Sequence, residues 1–145
     1  MLAVNVTLLD PAMPAPAYAH DGDAALDIRS TVDGVLQPGE RRLVPCGFAL
    51  ELPEGYAALV LPRSGLAAKH GISVVNAPGL IDSGYRGEIK VCLINTDTDQ
   101  AFSFSRGDRI AQLMIIPVPT VHFNLVDSLS ISERGSAGFG SSGLQ

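Results

Sequence analysis

Apolar residues in this chain come in short runs broken by turn-forming residues. LAVNVTLL alternates apolar and polar positions at its start, and RRLVPCGFALELP continues in the same style. YAALVLP, GEIKVCLIN and DRIAQLMIIPV are rich in β-branched and aliphatic residues. Between these runs stand DGDA, VDGVLQPGE, LPEG, NAPG, DSGYRGE and NTDTD, the segments in which the backbone is able to reverse. Short strands with regular turn signals predict an all-β sandwich or barrel-like fold. Only SGLAAKHGI predicts a turn or two of helix, capped by Ser64 and ended by Gly71. No internal repeat is visible. Beyond Asp127 the composition changes to DSLSISERGSAGFGSSGLQ, nearly all Ser, Gly and small residues. Residues 1–126 therefore read as the packed core and 127–145 as a flexible C-terminal arm.

Composition narrows this picture. A chain of 145 residues with 46% hydrophobic and 17% charged positions is sized and balanced for one folded domain. With 6% aromatics and no Trp, its core must be aliphatic. The net charge of −5 opposes encounter with a nucleic-acid backbone or an anionic membrane, so neither is an expected partner. A polyanionic small ligand would need arginines concentrated locally, or a cation. No apolar run approaches the roughly 20 residues that span a bilayer. The start, MLAVNVTLLD, lacks the basic flank of a secretory signal. Cys46 and Cys92 show no metal-type spacing and read as buried thiols in a reducing compartment, so the expected location is cytoplasmic. A sheet domain this small leaves edges exposed, which oligomerisation commonly covers.

Four stretches hold candidate chemistry, and each also has a purely structural reading. In LPRSGLAAKHGI, an Arg-Ser-Gly turn at a helix start offers a guanidinium, a hydroxyl and backbone N–H groups, the donors that phosphate oxygens require; alternatively it is a cap beside a surface arginine. In NAPGLIDSGYRGEIKVCLIN, two strands flank a connection built on Gly79, Gly84 and Gly87. Asn76 and Pro78 with Gly79 would expose backbone groups at a loop rim. Asp82 beside Tyr85 is either a general base with a stacking platform or a hairpin Asp supporting its own turn. RGDRIAQL reads as a turn feeding a buried strand, with Arg106 or Arg109 pairing a carboxylate and Gln112 needing partners if buried. In DGDAALDIRS, Asp21, Asp23 and Asp27 cluster without calcium-loop spacing; a magnesium ion that arrives with phosphates and touches one Asp through water suits them better. His20, His70 and His122 have no paired spacing and read as structural or surface residues.

Together these stretches resemble the five signature segments of the trimeric dUTP diphosphatase (dUTPase) family, in order: AALDI at 24–28, PRSGLAAKHGI at 62–72, NAPGLIDSGYRGEIKV at 76–91, RGDRIAQLMI at 106–115 and RGSAGFGSSG at 134–143. Ala25 and Ala137 stand where the family usually has Gly. The resemblance implies a jelly-roll-like (β-clip type) subunit assembled as a homotrimer, with active sites at subunit boundaries. It implies hydrolysis of dUTP to dUMP and pyrophosphate with Mg²⁺. By position, Asp82 matches the carboxylate that activates the attacking water, and Tyr85 the ring beneath deoxyribose that leaves no room for a 2′-hydroxyl. Asn76, Gly79, Ile81 and Lys90 fall in the nucleoside-binding segment, Asn76 in a hairpin whose backbone reads uracil. Arg63, Ser64, Gly65 and Gln112 match phosphate and water positioners, Arg63 and Gln112 among the catalytic residues. Asp27 matches the acidic residue near the metal-bound triphosphate. Arg134, Phe139, Gly140, Ser141 and Ser142 match the arm that closes over the nucleotide. The alternatives are a dCTP deaminase-type enzyme sharing the fold, and a nucleotide-binding regulatory module without turnover.

Overall fold

Alternation in GEIKVCLIN places Ile89, Val91, Leu93 and Asn95 on one face, and all four are buried. That strand lies near the middle of the fold. The structure is a computed structural model and describes residues 2–136, so Ala137, Phe139, Gly140, Ser141 and Ser142 lie outside the described residues. The described residues form ten strands and one helix: β1 (Asn5–Leu8), β2 (Leu26–Arg29), β3 (Gly34–Leu36), β4 (Arg41–Glu51), β5 (Tyr56–Leu61), α1 (Ser64–His70), β6 (Ile72–Val74), β7 (Gly79–Ile81), β8 (Glu88–Asn95), β9 (Phe102–Phe104) and β10 (Arg109–Pro117). They build two four-stranded sheets, ordered β1-β4-β8-β6 and β2-β10-β5-β7, with β3 and β9 as a separate pair. Every pairing is antiparallel.

The inner faces of both sheets share one aliphatic core. Val44, Phe48, Ile89, Val91 and Leu93 come from one sheet, and Ile28, Ala58, Val60, Ala111 and Leu113 from the other. Two packed antiparallel sheets agree with the all-β, jelly-roll-like expectation. Asn95 is fully buried yet satisfied: its side-chain amide donates to the carbonyls of Leu36 and Gln100 at 3.0 and 2.8 Å, and its oxygen accepts the Asp97 N–H at 3.0 Å. None of the described helices is long and apolar enough to cross a membrane. Residues 117–136 are exposed throughout, and the last strand ends at Pro117.

Three sequence expectations need correction. Ser64 does not cap α1. Arg63 holds the cap position with extended backbone (φ −89°, ψ 126°), makes no side-chain cap bond, and its carbonyl accepts the Ala67 N–H at 3.0 Å. Its guanidinium is drawn to a carboxylate instead. Gly71 does end the helix, at φ 63°, as expected. The segment 76–91 is not a simple hairpin: β7 pairs with β5 in one sheet while β8 pairs with β4 and β6 in the other, so the 82–87 connection passes between sheets. Finally, Cys46 is buried but Cys92 is only half-buried.

The buried thiol is electrostatically quiet. Burial, with the nearby Glu88 carboxylate adding to it, pushes the Cys46 thiol up to about 12. Since the thiolate is the reactive form, Cys46 is expected to react with a thiol reagent only after unfolding; a mass-mapped time course in native buffer and in denaturant checks this.

A bulge in β4 ties the chain's beginning to its later turns. Register against β8 shifts between Pro45 and Ala49, and Gly47 within it sits at φ 76°. A Cβ there would lie 2.6 Å from Thr31 Cγ2, so only glycine fits. Its carbonyl accepts the N–H groups of Leu9 and Asp10 at 2.8 and 3.0 Å, and its own N–H donates to Glu88 Oε1 at 3.0 Å. Asp10 in turn meets Arg106 at 2.6 Å, and Arg106 also donates to the Thr31 carbonyl and, through its backbone, to Asp33. The Arg106 hydrogen bond holds the Asp10 carboxyl below the ordinary carboxylate range, partly opposed by burial. A depressed folded-state pKa contributes stability above the unfolded value, and that contribution disappears as pH falls through the folded one. Asp10→Asn should therefore lower the urea midpoint at neutral pH. The difference from the parent should narrow as pH falls below the ordinary carboxylate range.

Candidate active site

Two clefts take in six of the residues singled out in the sequence, Asp27 and Gln112 in one and Ile81, Asp82, Tyr85 and Lys90 in the other. The first collects on the sheet β2-β10-β5. Gln112 on β10 stands opposite Asp27 on β2 and Leu61 on β5, so Asp27 and Gln112 project from the same face as direct neighbours. Pro62 ends β5, and Arg63 follows where the chain turns into α1. From there its Nε reaches Asp27 Oδ1 at 2.9 Å, and its Nη1 donates to the Arg109 carbonyl at 3.0 Å. Arg109, at the start of β10, meets Asp27 Oδ2 at 3.3 Å.

Asp27 is thus held between two guanidinium groups. The contact from Arg63 is an ion pair without hydrogen-bond alignment, so the buried Oδ1 keeps a lone pair unused. Asp23, Ala24, Ala25, Asp27 and Gln112 line a cleft of about 260 Å³ here. Ser64 and Gly65 are exposed in the first turn of α1, and a Cβ on Gly65 would meet nothing within 4 Å, so the space beside that turn is open. Two guanidinium groups and an amide beside one carboxylate, with the exposed Ser64 on the adjoining turn, make a surface for phosphate oxygens.

The second cleft forms where the chain crosses between sheets. Leu43, Leu80, Ile81, Asp82, Tyr85, Glu88, Ile89 and Lys90 enclose about 280 Å³. Asp82 follows directly on β7 and is exposed; its carbonyl accepts the Tyr85 N–H at 3.1 Å, closing the turn that carries both residues. Tyr85 is 46% exposed, presenting ring surface to the cleft. Gly79 is buried because β7 packs closely on β5: a Cβ there would lie 3.2 Å from Val60 and 3.3 Å from Asn76 Nδ2. Asn76 is exposed on the segment 75–78 with its amide beside Gly79, outside the lining of this cleft, whereas Lys90 lines it, 4.0 Å from Glu88 Oε2. Apolar walls, one ring, one free carboxylate and one ammonium suit a nucleoside.

One copy of the chain does not bring the two clefts together. Ile81 stands opposite Ala58 on β5, and Ala58 opposite Ile115 on β10. Gln112 is three residues from Ile115, about 10 Å along the strand, and two strand spacings add about 10 Å across. Asp82 lies one residue further still. Its carboxylate cannot share a water molecule with Gln112 of the same copy.

Sequence reasoning found Asp27, Arg63, Gln112, Asp82, Tyr85 and Lys90 but missed Glu88 and the apolar walls Leu43 and Leu80. Glu88 carries a signal only in retrospect, as an acid opening a strand whose neighbours are apolar. Among the described residues, no group of three His, Cys, Asp or Glu could hold a metal ion, and His70 instead rests its ring on Phe102 at 5.4 Å. Arg134 is within the described residues; Phe139, Gly140, Ser141 and Ser142 are outside them.

Comparison with known proteins adds independent weight. The dUTPase family model matches residues 12–143. The deoxyuridine 5′-triphosphate nucleotidohydrolase of Thermobifida fusca is 57% identical over 140 residues, covering 97% of this chain and 78% of that protein. Among solved structures, a variant dUTPase of Staphylococcus bacteriophage 80alpha with dUpNHpp superposes at a TM-score of 0.91 with 31% identity, covering 98% of this chain and 99% of that one. A variant dUTPase of phage phi11 of S. aureus, in which a structural Mg(II) ion is coordinated, gives a TM-score of 0.82 at 27% identity, covering 89% and 99%. With a family model spanning nearly the whole sequence and identity above one half over almost its full length, the chain belongs to the dUTPase family.

Proposed function

We propose that this chain carries out the hydrolysis of dUTP to dUMP and pyrophosphate, at sites that copies of the chain complete for one another. One observation carries the reading. The chain holds a nucleoside-type cleft and a phosphate-type cleft on opposite flanks of one sheet, too far apart for Asp82 and Gln112 of one copy to act on the same water. An assembly in which the Asp82 cleft of one copy faces the Gln112 cleft of another joins them. A closed ring of three copies, the assembly the family resemblance implies, would hold three such sites.

In the completed site, Tyr85 supports the deoxyribose and the 76–81 segment offers backbone groups to the uracil edge. The ring face of Tyr85 leaves no room for a 2′-hydroxyl. Asp82, exposed on its turn, accepts the proton of the water that attacks the α-phosphorus in line with the departing pyrophosphate. Gln112 from the facing copy orients that water. Arg63, Ser64 and Gly65 hold phosphate oxygens, and the guanidinium charge offsets the charge that develops on them.

Mg²⁺ is the expected cofactor, and Asp27 fits a limited part in holding it. Its buried Oδ1 can accept a hydrogen bond from a metal-bound water, whereas a carboxylate already shared by two arginines is poorly placed as a direct ligand. Bound Mg²⁺ would neutralise part of the triphosphate's charge.

Residues 127–145 serve as the closing arm, with Arg134, Phe139, Gly140, Ser141 and Ser142 as its contacts. A cytoplasmic location belongs to the same proposal, supported by the two free cysteines. Pyrophosphate release measured across dUTP, dCTP, dTTP and UTP tests the activity. The expected result is turnover of dUTP alone. Ammonia released from dCTP, or dUTP binding without pyrophosphate, would overturn it. Sedimentation of the full chain tests the trimer.

A further inference from the structure

The ring of Tyr85 lies folded over the backbone of Gly87. A Cβ at Gly87 would sit 2.6 Å from Tyr85 Cζ and 3.0 Å from Cε2, closer than real Cβ contacts come. Gly87 is not among the glycines with positive φ, so its backbone would accept another residue. Among the described residues, and apart from the chain neighbours Arg86 and Glu88, the three nearest atoms that a side chain would meet there belong to Tyr85, its hydroxyl first. The ring is fixed from two other directions as well. Its hydroxyl donates to the Glu88 carbonyl at 3.0 Å, and the backbone N–H of Tyr85 donates to the Asp82 carbonyl at 3.1 Å, fixing the base of the side chain. Glu88 itself is anchored, through Oε1, to the Gly47 N–H in the β4 bulge.

We propose that Gly87 is a specificity-determining positioning residue: its missing side chain is the seat that lets the Tyr85 ring lie low enough to take a deoxyribose while refusing a ribose. The proposal rests on the reading of Tyr85 as the sugar platform and extends it to a residue that never touches substrate. The physical reason is close packing. Separating a methyl from the ring to ordinary contact, 3.4 Å or more, needs a shift of about 1 Å. If the ring rises toward the sugar, dUTP loses its fit while UTP, already refused, loses little. If the ring swings aside instead, its hydroxyl leaves Glu88 and space opens for the 2′-hydroxyl. Both movements erode discrimination.

The test is a double-mutant cycle on the full chain with Gly87→Ala, Tyr85→Ala and both together. The readout is kcat/KM for dUTP relative to UTP. Gly87→Ala is expected to lower dUTP turnover by about 100-fold, the cost of a misplacement near 1 Å. It should lower the dUTP preference at least about tenfold. In the Tyr85→Ala background it is expected to change neither.

Loss of preference in Tyr85→Ala with full preference in Gly87→Ala overturns the seat and leaves the platform standing. Full preference in Tyr85→Ala removes the platform and the seat with it. An equal effect of Gly87→Ala in both backgrounds means that it acts elsewhere, and this too overturns the proposal. So does a Gly87→Ala protein that fails to fold while the double variant folds, because Gly87 would then serve folding and not selection.

Discussion

Replacing Asp82 by Asn is expected to leave dUTP binding nearly intact while slowing single-turnover hydrolysis by about 10²–10⁴-fold, the usual contribution of a positioned general base. The substitution keeps the shape of the side chain and removes only its ability to take a proton at neutral pH. Asp82 is exposed on a turn, and Tyr85 is held to it through its carbonyl rather than its carboxylate. The Asn variant should therefore fold and assemble normally, with the nucleoside cleft unchanged. Equilibrium binding of a non-hydrolysable analogue, compared with rapid-quench hydrolysis of dUTP, separates the two effects. Comparable hydrolysis rates for variant and parent would take the base role away from Asp82. A large loss of binding would instead make it a ligand for the nucleotide.

Deleting residues 134–145 should leave the proposed trimer and the thermal stability unchanged and lower turnover by about 100-fold, the scale set by losing groups that hold a reactant in place. The last strand ends at Pro117, where the Val118 N–H still donates to the Gly55 carbonyl at 2.7 Å. Sixteen residues separate that point from Arg134, and extended chain of this length spans up to about 50 Å. An arm tethered there can reach a site on another copy. Ordering it costs about 1 kcal/mol or more per residue, while stacking of Phe139 on the base would return about 1–3 kcal/mol. Arginine and serine contacts to phosphate must supply the balance. On the proposed role of the arm, closure would depend on a complete triphosphate, and product, having lost two phosphates, would release it. Near-normal turnover in the truncated protein would rule out the lid.

The principal strands were legible because their signal is local. Period-2 alternation in GEIKVCLIN and the aliphatic run of DRIAQLMIIPV became β8 and β10 almost to the residue. The shortest strands, β6, β7 and β9, have three residues each and leave too little pattern to read. The helix was legible at its end, where Gly71 takes a left-handed backbone, and misread at its start. Ser64 is an ordinary cap residue, but Arg63 is pulled toward Asp27, 36 positions away in the chain, and no local rule contains that force. Gln112 was suspected only as a polar residue in an apolar run. Its place beside Asp27 needed the register between β10 and β2.

The sequence alone determined the all-β character, the aliphatic core and which residues are candidates for the reacting groups, because side-chain chemistry and short-range alternation are properties of residues and their immediate neighbours. Only the tertiary structure decided which groups share a cleft. Strand register assigned Asp27, Arg63 and Gln112 to one flank and Asp82 with Tyr85 to another. The crossing of residues 82–87 between sheets set Tyr85 down on Gly87. Both outcomes arise from pairing and packing between segments remote in sequence, whose energies exist only once the sheets have formed.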